Sequence, residues 1–106
     1  MPFLHLDDIP QRTIVPGCHV RFVHSDNMTF AYWNLDEGAV LPEHSHPHEQ
    51  VCTVLEGDLE LQVGEETRLL RRGEVAVIPG GAVHTAHAIT VCFVLDAFYP
   101  VREDYR

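Results

Sequence analysis

Between His44 and Gln50 the chain reads HSHPHEQ, three imidazoles in five residues followed by a carboxylate and an amide. Pro47 in the middle excludes a helix interior, because its ring crowds the preceding turn and it has no N–H to donate. On an extended chain His44 and His46 project to the same face. Two neutral imidazoles on one face suit a divalent metal, provided the fold brings further ligands from elsewhere.

The composition narrows what such a metal would serve. The 106 residues are 45% hydrophobic and 22% charged, as expected of one globular domain with a single core. Net charge is −9, with seven arginines and no lysine. Such a surface is a poor partner for nucleic acid, since phosphate binding needs clustered cations, and without lysine there is no Schiff-base chemistry. A small anionic substrate would have to be attracted locally, by the metal and a well-placed arginine, against the field of the whole chain. No apolar run is long enough to span a bilayer and no positively charged leader precedes a hydrophobic segment, so the expected compartment is the cytosol. Cys18, Cys52 and Cys92 are odd in number and lack CxxC spacing, and are expected to be free, buried fillers.

The elements that must position the histidines are short. HVRFVH (19–24) and TFAYWNL (29–35) are rich in β-branched and aromatic residues, and SDN and DEG supply turns after them. QVCTVLEG leads into DLELQVG, where Leu59, Leu61 and Val63 alternate with polar residues, the pattern of a half-buried strand. TRLLRRG, EVAVIPGGAVH and ITVCFVLDAF follow. No segment holds a helical period over three turns, so the reading is an all-β antiparallel sandwich or barrel. In a barrel, inward positions of distant strands converge on one cavity.

With those elements in place, residues 38–57, GAVLPEHSHPHEQVCTVLEG, resemble the first cupin motif. Residues 73–84, GEVAVIPGGAVH, are similar to the second, with Gly73, Pro79, Gly81 and His84 at its offsets. The resemblance implies a double-stranded β-helix (jelly-roll) barrel over residues 1–106, with its motif core at 38–84. It also implies metal ligands at His44, His46, position 50 and His84, and one divalent ion per chain (Zn, Ni, Fe or Mn). Position 50 is Gln50 where many cupins have glutamate; neighbouring Glu49 is the alternative carboxylate, but strand alternation lets only one of the two face the metal. The family's spacing selects Gln50. A neutral amide leaves the ion's double charge uncompensated, strengthening its hold on an anionic oxygen. His48 is expected in a loop, His87 at the rim, and His5, His19 and His24 in structural roles.

The chain end, LDAFYPVRED (95–104), resembles the terminal signature of the small pectin-degradation cupins that ketonise 4,5-unsaturated uronates. That likeness implies an acid/base role for Asp96 and substrate contacts for Phe98 and Arg102. Independently, Asp96 ends an apolar strand, where partial burial at a cavity mouth would raise its pKa and suit proton transfer. Arg102 can clamp a carboxylate with two parallel hydrogen bonds. The functional expectation is a metal-dependent isomerase on a small sugar acid. The alternatives are a cupin-type dioxygenase and a non-catalytic ligand-binding cupin. Cupins of this size are commonly dimeric, and the N-terminal segment 1–12 offers Phe3, Leu4, Leu6 and Ile9 as apolar surface for a homodimer.

Overall fold

Strict alternation decides which way the strands face. β2 (Cys18–His24) and β3 (Thr29–Leu35) form a hairpin in which alternate residues are buried, Cys18, Val20 and Phe22 on one strand and Thr29, Ala31, Trp33 and Leu35 on the other. The Ser25–Met28 turn closes it with paired backbone and Ser25 Oγ bonds. β10 (Cys92–Tyr99) lies between β3 and β5 (Glu49–Glu56), antiparallel to both, and β8 (Val75–Ile78) and β1 (Arg12–Val15) complete a six-stranded sheet in the order β1-β2-β3-β10-β5-β8. The second sheet has four strands, ordered β4 (Val40–His44), β9 (His84–Ala88), β6 (Leu59–Val63) and β7 (Glu66–Leu70). This computed structural model describes residues 2–106, and Met1 of the N-terminal segment lies outside them.

The two sheets face each other as an all-β jelly-roll, as the motifs implied. Trp33, Val54, Leu59, Leu61 and Val94 fill the space between them, each 5% exposed or less. Burying one such side chain contributes about 1.5–3 kcal/mol. All three cysteines are buried and free. Gly57, between β5 and β6, has φ +89°, and a Cβ there would stand 2.2 Å from the Val91 carbonyl oxygen. Only glycine fits that close approach.

EVAVIPGGAVH, taken as one segment in sequence, is β8, a loop over residues 79–83 and the first residue of β9, His84. Pro79, Gly80 and Gly81 carry the chain from β8 in the large sheet to β9 in the small one. Residues 45–48 make the reverse crossing, from β4 to β5. Pro42 is tolerated because β4 is an edge strand, which spares a ladder donor. Near the N-terminus, Leu6–Asp8 form a 3-10 turn capped by His5, and Phe3 and Leu4 are 88% and 62% exposed. No helix among the described residues is long and apolar enough to cross a membrane.

Candidate metal centre and its cavity

The histidines meet because both crossings happen at the same end of the barrel. His44 closes β4 and pairs directly with His84, the first residue of β9, after a register shift next to Pro42. Their ring centroids are 4.2 Å apart, and the His46 ring lies 5.0 Å from that of His84. The loop carrying His46 is locked onto the Pro79–Gly81 turn: Gly81 N–H donates to the His46 carbonyl at 2.8 Å, and a Cβ on Gly80 would stand 2.3 Å from the Pro47 carbonyl oxygen. That close approach requires glycine at position 80, and a φ of +82° favours it at position 81.

Each of the three imidazoles is oriented by a backbone carbonyl. Nδ1 of His44 donates to Pro42 O at 2.7 Å, Nδ1 of His46 to His48 O at 3.0 Å, and Nδ1 of His84 to Ala82 O at 2.9 Å. A carbonyl only accepts, so Nδ1 carries the proton and Nε2 keeps a free lone pair. Burial, with Arg102 and His84 nearby, pushes His46 down to about 4, and burial also pushes His84 down, so both rings are neutral at pH 7. Nε2 of His84 is buried with no hydrogen-bond partner, which costs free energy unless something else uses its lone pair. One nitrogen from each ring falls in a group spanning 4.8 Å or less. Ligands sharing one ion with bonds near 2.1 Å stand roughly 3–4 Å apart, within that span. His44, His46 and His84 can thus hold a metal ion, and their carbonyl partners are the outer support that metal-binding histidines use.

Gln50 is buried on β5 while Glu49 is exposed, so alternation turned the amide, not the carboxylate, inward. Gln50 Oε1 lies 3.1 Å from His46 Nε2. With Nδ1 already the donor, two acceptors face each other there, an arrangement that a cation held between them relieves.

The expected acid/base residue is deeper than anticipated. Asp96 sits on β10 directly opposite Cys52 of β5 and Ala31 of β3, in the cavity wall and not at its mouth. β10 continues to Tyr99, three residues past the point where the apolar run suggested it ended. Asp96 is 5% exposed, and its Oδ1 has no hydrogen-bond partner. Burial raises its pKa from 3.8 to about 6, moderated by the nearby Gln50, Cys52 and Trp33 side chains. None of these meets a hydrogen-bond geometry on Oδ1, and Trp33 Nε1 is likewise without a partner. Phe98, two residues on, also faces inward and packs edge-on against His46 at 5.5 Å between centroids.

Arg102 is buried, and its fork is largely committed. Nε and Nη2 donate to the Asp104 carboxylate at 3.0 and 2.7 Å, the guanidinium lies over Phe98 and Tyr105 at 4.8 and 4.1 Å, and Nη1 alone has no partner. The bidentate edge expected for a substrate carboxylate is taken by Asp104, leaving Nη1 as the one nitrogen without a partner. Of the other histidines, His48 is in the loop after His46 with its ring 5.6 Å away, and His87 faces outward because β9 buries only alternate residues. His19 bonds Thr13 and His24 bonds Thr29, both structural.

Trp33, Cys52 and Tyr105 also line the cavity; Trp33 and Tyr105 are not singled out in the sequence, and Cys52 is read there only as a buried filler. Cys52 could have been placed in the cavity, since it lies two residues after Gln50 on the same strand face. Space for the centres of water-sized molecules amounts to about 40 Å³.

Residues 31–98 match the cupin domain family. The chain is a cupin. An uncharacterised protein of Streptomyces coelicolor is 30% identical over 91 residues, which cover 85% of this chain and 87% of that protein. Among solved structures, KdgF from a Halomonas species is 28% identical with a TM-score of 0.94, covering 100% of this cupin and 99% of KdgF. An RmlC-like cupin from Shewanella frigidimarina is 25% identical with a TM-score of 0.95, covering 100% and 96% of the two chains. Oxalate decarboxylase of Bacillus subtilis shares the fold at 19% identity, and this cupin spans 29% of its length. The family match, the end-to-end likeness to KdgF and the histidine triad bear out the resemblance to small metal-binding cupins of the pectin-degradation group.

Proposed function

We propose that this cupin is a metal-dependent isomerase that ketonises a small unsaturated sugar acid. His44, His46, Gln50 and His84 hold one divalent ion per chain, Asp96 shuttles the proton, and Phe98 and Arg102 contact the substrate. The observation that carries this reading is the buried Asp96 carboxyl, whose unpartnered Oδ1 shares a cavity wall with His44, His84 and Gln50. Three neutral imidazoles and an amide suit zinc, nickel, iron or manganese. Such an ion supplies Lewis-acid stabilisation of an oxygen on which negative charge develops.

The chain's own residues do the rest. Ketonisation places a proton on an alkene carbon and removes one from the enol oxygen, so a group that both gives and takes a proton near neutrality is required. Asp96, with its pKa raised to about 6, is held for that role by burial. Phe98 against His46 keeps bulk water off the reacting face. Arg102 Nη1, still without a partner, can take one oxygen of the substrate carboxylate. The likeness to KdgF supports this substrate class, and three free buried thiols fit a reducing, cytoplasmic compartment.

Turnover of a 4,5-unsaturated uronate in D₂O tests the proposal. A single monodeuterated stereoisomer at the former alkene carbon, without oxygen uptake, is expected. A stereochemical mixture identical to the spontaneous product contradicts it, and oxygen uptake points instead to the dioxygenase alternative.

Gln50→Glu places a negative charge beside the ion. It should retain the metal but weaken a carboxylate ligand by on the order of a few kcal/mol at short range and an effective dielectric near 20. Calorimetry with the metal-loaded proteins reads this, and equal affinities would exclude Gln50 from the ion's surroundings. The exposed Phe3 and Leu4 support a homodimer through the N-terminal segment. Light scattering at micromolar concentration should give twice the chain mass, and Phe3→Ser with Leu4→Ser should shift it to the monomer. A monomeric wild type contradicts the assembly.

A further inference from the structure

Tyr105 belongs to two spaces at once. It lines the inner cavity with His44, Gln50 and Asp96, and it lines an outer groove with Phe22, His24, Arg12 and Arg106. Its ring stacks on Phe22 at 4.4 Å between centroids and 24° between planes, and lies edge-on to Phe98 at 6.1 Å. Tyr105 is therefore the residue that the cavity and the groove share, with the Arg102 guanidinium 4.1 Å over its ring. It is carried by a 3-10 turn, Glu103–Tyr105, whose other two residues are exposed.

The groove has an unusual charge for this protein. In a chain of net charge −9, two of the seven arginines stand here beside a histidine. Arg12 donates to the Tyr105 carbonyl and lies 4.6 Å over the Phe22 ring, while Arg106 donates to the Ser25 carbonyl at 3.3 Å. Carbonyl acceptors fix these guanidiniums without neutralising them, although Glu103 offsets part of the Arg106 charge at 3.4 Å. Fixed cations next to an aromatic face suit a sugar ring bearing a carboxylate. The cavity inside the Tyr105 wall is small, with about 40 Å³ open to the centres of water-sized molecules, and leaves no space for a second ring.

We infer that Tyr105 is a specificity-determining residue: its ring restricts the cavity to a single sugar-acid unit, and the groove behind it is a latent subsite for a second, linked uronate. The inference rests on the uronate reading of the site. Exclusion follows from the ring as a steric wall, so Tyr105→Phe preserves it and Tyr105→Ala removes it, joining the cavity to the cationic groove.

Saturated galacturonate and its α-1,4-linked dimer are unreactive probes, and calorimetry with metal-loaded protein gives the ratio of their affinities. That ratio does not move when a variant merely loses part of its folded population. Wild type and Tyr105→Phe should bind the dimer at least tenfold more weakly than the monomer, and Tyr105→Ala should bring the two within about twofold. A wild type that binds both equally overturns the inference, as does a folded Tyr105→Ala that keeps the tenfold preference. Loss of the preference in Tyr105→Phe overturns the ring as the wall. If the wild type binds neither probe, the uronate reading fails and the inference falls with it, whereas an unchanged ratio with intact monomer binding sinks the inference alone.

Discussion

Asp96→Asn should lower turnover at least about a hundredfold while leaving metal content and fold unchanged. The span is that of general acid–base catalysis. An ion in the triad can stabilise charge on oxygen but cannot put a proton on carbon, and Asp96 is the carboxyl that the strand register places in the cavity wall. Asparagine fills the same volume and cannot titrate. The same substitution has an opposite effect on stability in metal-stripped protein. The folded-state pKa of Asp96, about 6, stands above its usual 3.8, so the folded state binds this proton more tightly than the unfolded chain. The stabilisation is fully present below pH 3.8 and is lost as pH rises through about 6. The difference corresponds to about 3 kcal/mol. Chelator-treated Asp96→Asn should consequently melt at a higher temperature than wild type at pH 8 and lose that advantage at pH 4. A variant that loses activity and also melts lower at pH 8 would mark Asp96 as a structural residue.

His46→Ala and His84→Ala should each lose most of the bound metal, read by elemental analysis of protein purified without chelator or affinity tag. Both Nε2 atoms keep a free lone pair because Nδ1 is held by a carbonyl two residues away, so removing either ring removes a preoriented donor. Metal that binds only the folded state stabilises it by mass action, about 2.7 kcal/mol at a hundredfold excess over Kd. Wild type should lose this on chelation and the variants should be insensitive to chelator. Unchanged metal content in both variants would place the ion elsewhere.

The histidine triad and most of the strands were legible in the sequence, because both rest on local spacing. His44, Gln50 and His84 sit at offsets that survive folding intact, and the inward faces of β5 and β10 follow from period two. Depth was harder. Asp96 looked like a strand-end residue since the apolar run stops there, yet Phe98 continues the inward face and carries the strand to Tyr99. The commitment of Arg102 to Asp104 was invisible, as it depends on a 3-10 turn that no periodicity announces. Tyr105 reaches the cavity by the same turn. The passage of the chain from one sheet to the other here was readable only in part: Pro79 and Gly80-Gly81 signal a bend, but not that β8 and β9 pair with different partners.

The most direct measurement follows the ultraviolet absorbance of a 4,5-unsaturated uronate with metal-loaded protein, against its spontaneous decay. The account predicts saturable acceleration of chromophore loss that chelation abolishes and the added metal restores. Decay at the same rate with and without the metal-loaded protein would contradict it.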